Sequence, residues 1–149
     1  MNQMRIFPSI LPLSALLLAA CQSGLDADIP GDSNSTEAYH GIGAGERLHF
    51  IGTEPFWGGE AKGAVLRYDT PEDPEGETIS IERFAGRGGL SFSGRLDGRD
   101  LTMAVTPGEC SDGMSDRTYP FTITLQIGDD TRNGCGWTEN QPFSGPEHP

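Results

Sequence analysis

From Tyr119 to Ile127 the chain alternates without a break: Tyr119, Phe121, Ile123, Leu125 and Ile127 fall on one face, Thr122, Thr124 and Gln126 on the other. Successive side chains of a β-strand point to opposite faces, so this run describes an extended segment that buries one face and wets the other. The same period returns in Leu90, Phe92 and Leu96 against Ser91, Ser93 and Arg95, and again in Leu101, Met103 and Val105. Asp97 and Gly98, between these two runs, are the residue types that a type I′ turn demands, which predicts a tight hairpin. Leu48 with Phe50, Ala64 with Leu66 and Tyr68, and Ile79 with Ile81 predict further strands. No stretch keeps a helical period over three turns. The chain holds 21 glycines and 11 prolines, and turn signals recur roughly every eight to twelve residues. The expected fold is therefore all-β, a small antiparallel meander of about seven or eight strands wrapped into a barrel. Closure removes exposed edges, which matters for short strands over a thin core. A β-sandwich satisfies the same alternation and stands as the alternative.

Composition bounds this domain on both sides. Residues 46–137 carry the strands, about the length of one small domain. Residues 21–45 are rich in Ser, Asp, Gly and Asn, too poor in apolar residues to bury a core, and are expected to be a flexible tether with a reach of roughly 25 to 30 Å. Residues 138–149, with Pro142, Pro146 and Pro149, are expected to be a loose tail. Residues 1–20 form a leader. Arg5 precedes an apolar run that ends at Ala20, is interrupted by Pro8 and Pro12, and falls short of the roughly 20 apolar residues that span a bilayer. Leu18, Ala19, Ala20 and Cys21 form a bacterial lipobox, which marks Cys21 as the lipidated first residue of the mature chain. Gln22, rather than an aspartate, follows Cys21, and this favours the outer membrane, with the domain facing the periplasm. The lipid bilayer, reached through the acylated Cys21, is thus the first expected partner.

Without the leader, nine basic residues face 22 acidic ones, a balance of −13. Nucleic acid and anionic lipid surfaces both require a positive field and are excluded as partners on this ground. A cationic envelope protein would be attracted. The oxidising periplasm would join the two cysteines other than Cys21, so one disulfide is expected between Cys110 and Cys135. Closing that loop contributes roughly 3.5 kcal/mol in the chain-entropy model. His49 and His148 show no metal-ligand spacing and His40 lies in the linker, so neither a metal nor another cofactor is expected.

Two clusters stand apart from the strand pattern: Gly52-Thr-Glu-Pro-Phe-Trp57, and Cys110-Ser-Asp-Gly-Met-Ser-Asp116. Ser93, Ser111 and Ser115 lack a histidine partner, and carboxylate pairs arise by chance in so acidic a chain, so no catalytic set is predicted. In the second cluster Asp112, Ser115 and Asp116 can hydrogen-bond the backbone of their own turn. That turn either simply closes the barrel or presents carboxylates and Met114 as a recognition surface. Phe56 and Trp57 either plug a barrel end or line a pocket with Glu54 beside it. Glu54, Phe56, Trp57, Asp112, Met114 and Asp116 are accordingly the candidate binding residues.

The strings GTEPFW, CSDGMSDRTYPF and the later Gly134-Cys135 resemble, in this order, a widespread family of bacterial envelope proteins and lipoproteins. The resemblance spans roughly residues 46 to 137. Some members of that family carry a second domain resembling the membrane-bound inhibitors of c-type lysozyme, and the family brings no established activity. The expected function is a membrane-anchored, non-catalytic binding or accessory domain. A lysozyme-inhibitor-like defence protein and a carrier of a small apolar ligand are the alternatives.

Overall fold

A computed structural model describes residues 36–146. The leader, Cys21 and most of the expected tether lie outside the described residues. Eight strands follow one another: β1 Leu48–Thr53, β2 Phe56–Lys62, β3 Val65–Thr70, β4 Asp73–Ala85, β5 Leu90–Leu96, β6 Arg99–Cys110, β7 Tyr119–Ile127 and β8 Asp130–Thr138. Each pairs antiparallel with the next, and β8 returns to β1 with Leu48 opposite Thr138 and Ile51 opposite Cys135. That last pairing makes a closed barrel and decides against a sandwich. No helix is present among the described residues.

The alternating faces close on one core. Leu66, Leu101, Met103, Val105, Ile123 and Leu125 are among the side chains that fill the interior. Asp97 and Gly98 both take positive φ, 51° and 77°, the geometry of the hairpin turn read from their types. Tyr119 keeps the expected burial but departs from the interior in its neighbours. It is buried yet stays out of the interior cluster, packing instead on Trp137 and Phe143. The departure coincides with a register shift between Pro107 and Cys110, a bulge that bends the β6–β7 ribbon at its open end.

Both flanks are more ordered than their composition suggests. Ile42, within the segment read as tether, is 2% exposed and joins the core. It is held there by the Arg83 guanidinium, which donates to the Ile42 carbonyl at 2.7 Å, and by the Tyr39 amide, which donates to Gly86 at 2.7 Å. The segment read as a tail folds back as far as residue 146. Ser144 bridges Thr118 in antiparallel fashion, Phe143 stacks edge-on against Trp137, and the Gln141 side-chain Nε2 donates to the Gly41 carbonyl. Composition missed both because one or two apolar side chains per segment, Ile42 with Tyr39 or Phe143 alone, suffice when the barrel offers a seat for them.

Candidate functional site

The two motif clusters meet at one place on the outer wall. Trp57, on β2, points inward and is 4% exposed, with its ring 5.8 Å from Phe50 and 6.3 Å from Tyr68. Its neighbour Phe56 points outward and is 52% exposed. Period two along one strand thus gives the adjacent aromatics opposite roles, and only Trp57 serves as the plug. The indole has room because two glycines face it. A Cβ on Gly52 would lie 2.0 Å from Trp57 Nε1, and one on Gly134 would lie 2.9 Å from Trp57 Cζ2 and 2.1 Å from the Ile51 carbonyl. Gly52, Trp57 and Gly134 are therefore one packing unit drawn from two of the three motifs.

The second cluster forms the loop between β6 and β7. Asp112 organises it: its Oδ1 accepts from the amides of Met114 and Ser115 at 2.9 and 2.8 Å, and its Oδ2 accepts from the Ser115 hydroxyl at 2.6 Å and the Tyr119 hydroxyl at 3.1 Å. Partial burial pushes the carboxyl upward, but these donors outweigh it and hold its pKa down at about 2. The loop is fastened twice. The Thr53 hydroxyl donates to the Asp112 carbonyl at 3.1 Å, and a disulfide joins Cys110 to Cys135 with their Cα atoms 5.6 Å apart.

Between this loop, the β1–β2 hairpin and the β3–β4 turn lies a groove of about 600 Å³. Ile51, the bare Gly58, Phe56, Met114, Pro71 and Pro74 are among its lining residues. Met114 is 68% exposed. Of the six residues singled out in the sequence, Phe56, Trp57, Asp112 and Met114 converge here. Glu54 lines a separate, more polar groove with Ser111 and Arg132, and Asp116 lines neither. Sequence patterning does not single out Pro71, Pro74 or the buried Tyr119 as lining residues.

The polar side chains beside the groove are engaged with their own loop. Both Asp112 oxygens already accept hydrogen bonds, and Ser115 donates its proton to Asp112. His49 stacks on Trp137 at 5.2 Å, beside Glu60, apart from the groove. No cluster of three or more His, Cys, Asp or Glu among the described residues is placed to hold a metal ion. No family model, curated protein or solved structure matches this chain.

Proposed function

We propose that this chain is a lipid-anchored envelope protein whose barrel is a non-catalytic binding module, with the outer-wall groove as its binding surface. The observation that supports it most is that two large exposed apolar side chains, Phe56 and Met114, line one groove, with the loop that carries Met114 fastened by a disulfide at its start. Large apolar groups left exposed around a preformed concavity are the usual mark of a binding site. The barrel interior is occupied by its own side chains, so an apolar ligand would sit on the wall rather than inside. Anchoring through Cys21, with Gln22 behind it, places the module at the outer membrane, facing the periplasm.

Two measurements test this reading. Labelling of cells with a radioactive fatty acid should mark the protein and fail with Cys21→Ser. A photo-crosslinking residue at position 114 should give a discrete adduct in cells, whereas the same residue at the exposed Val65 should not. Equal yields at the two positions would remove the groove from consideration.

The fastened loop also favours a second reading, occlusion of a lysozyme cleft, since lysozymes are basic and this chain carries a net charge of −12. Undiminished lysozyme activity with excess protein at low salt would dispose of it.

A further inference from the structure

The groove's lining is largely apolar, and the exposed residues that border it along the chain, its rim, are mostly acidic. Pro71 lies in the turn between β3 and β4 and Pro74 at the start of β4, and the exposed Glu72, Asp73 and Glu75 flank them in the chain. Exposed Asp116 sits in the chain between Ser115 and Arg117, two lining residues. Arg117 is the cation among the lining residues, and it is turned toward the returning C-terminal segment. Its Nε donates to the Pro146 carbonyl at 2.8 Å, and its guanidinium lies 4.5 Å from the centre of the Phe143 ring.

We propose that the groove takes a cationic amphipathic peptide segment of a partner protein, its apolar side chains against Phe56 and Met114, its Lys or Arg side chains facing the rim carboxylates. This rests on the groove being a binding surface and adds the sign of charge that the occupant carries. Charge complementarity selects this occupant over the others. A second copy of the chain carries −12 and would be repelled. Residues 22–35 of the chain itself hold Asp26, Asp28 and Asp32 and neither Lys nor Arg, so they bring the wrong sign as well. Acyl chains of anionic lipids meet the same repulsion at their headgroups. The closed barrel offers no strand edge for an incoming peptide to extend, so recognition falls to side chains in the groove.

The test uses the purified protein with its methionine methyl groups labelled for NMR. Met114 reports on the groove, and Met103, fully buried in the barrel, is the internal reference. The probes are a short peptide alternating Leu and Lys, its Leu and Glu counterpart, and a neutral maltoside detergent. The Lys peptide should shift the Met114 signal saturably and leave Met103 in place, with the Glu peptide binding at least about tenfold more weakly. Added salt should weaken the Lys peptide. Phe56→Ala and Met114→Ala, both at exposed positions, should each lower its affinity by about fivefold or more. The combination of Glu72→Gln, Glu75→Gln and Asp116→Asn should remove most of the preference for Lys over Glu.

Equal affinity for the two peptides at Met114 would overturn the assignment of charge and leave the groove standing as a binding surface. Saturable detergent binding without peptide binding would make the occupant an acyl chain, and concentration-dependent dimerisation lost in Met114→Ala would make it a second copy; either overturns the proposal. If no probe moves Met114, the groove itself falls along with it.

Discussion

Gly52→Ala should damage the barrel only as long as Trp57 is there to be struck. The three atoms nearest to a Cβ at position 52 all belong to the Trp57 indole, at 2.0, 2.2 and 2.7 Å. Separations of that size cannot persist, so the ring must tilt away from Phe50 and Tyr68 or the β1–β2 hairpin must open. Overpacking of this kind costs about 1–3 kcal/mol, while removing the ring altogether, as in Trp57→Ala, costs about 3–5 kcal/mol. Once the ring is gone, Gly52→Ala should be close to neutral or slightly favourable, since glycine within a strand is itself a weak point. The two substitutions should therefore couple by about 1–3 kcal/mol in a double-mutant cycle, roughly 4–8 °C of midpoint for each kcal/mol in a domain of this size. Gly134→Ala is the contrasting case. Its Cβ would meet the Ile51 carbonyl at 2.1 Å, a backbone atom that Trp57→Ala does not remove, so its cost should survive in both backgrounds. Urea unfolding followed by far-ultraviolet circular dichroism measures all six proteins without relying on tryptophan emission. An equal cost of Gly52→Ala with and without the indole would refute the steric argument, as would rescue of Gly134→Ala by Trp57→Ala.

Three other outcomes follow from the same contacts. Asp112→Asn should lower stability at neutral pH by about 1 kcal/mol, after allowance for the solvent that screens a half-exposed carboxylate. Because the folded protein depresses the Asp112 pKa to about 2 from an ordinary 3.8, this stabilisation is present above the ordinary value and fades as pH falls from there to about 2. The gap in thermal midpoint between the natural protein and the variant should narrow over that window, and a gap independent of pH would contradict it. Replacing Cys110 and Cys135 together by Ser should cost roughly 3.5 kcal/mol, read as a lower urea midpoint that a reducing agent reproduces in the natural protein. Ile42→Ala should cost about 2–4 kcal/mol, whereas an alanine anywhere in a freely moving tether would leave the urea midpoint unchanged.

What could be read from the chain divides along physical lines. Strands with one buried and one wet face, such as β7, write their period into the sequence, and Asp97-Gly98 writes its turn chemistry beside them. Closure into a barrel is not written there, because the β1–β8 pairing joins residues about ninety positions apart through the same alternation that a sandwich uses. The Asp112 turn was legible from local side-chain chemistry, which acts over two or three residues. The groove was only half legible. Phe56 and Met114 were flagged as unusual, but Pro71 and Pro74 come to them through the wrapping of β2 against β3, a juxtaposition with no local signature. Tyr119 is buried as its period predicts, but its neighbours Trp137 and Phe143 come from β8 and the returning C-terminal segment, which no local pattern announces.

The motifs themselves are better explained by fastening than by chemistry. Gly52 and Gly134 make the bed for Trp57, Thr53 holds the carbonyl of Asp112, and Cys135, next to Gly134, holds Cys110. The first tie joins β1, β2 and β8 to one another and the other two fasten the β6–β7 loop to β1 and β8, so residues far apart in the chain become one corner. A loop held in this way has already lost most of its conformational freedom before any partner arrives, so a bound segment need not supply that ordering itself. The residues that would touch the partner, Phe56 and Met114, are by contrast held by none of these ties and stand exposed. Substitution in the fastening set should thus lower stability and affinity together, whereas substitution of Phe56 or Met114 should lower affinity alone. That separation, measured on the same proteins by urea unfolding and by peptide titration, tells a binding corner from a corner that merely closes the barrel.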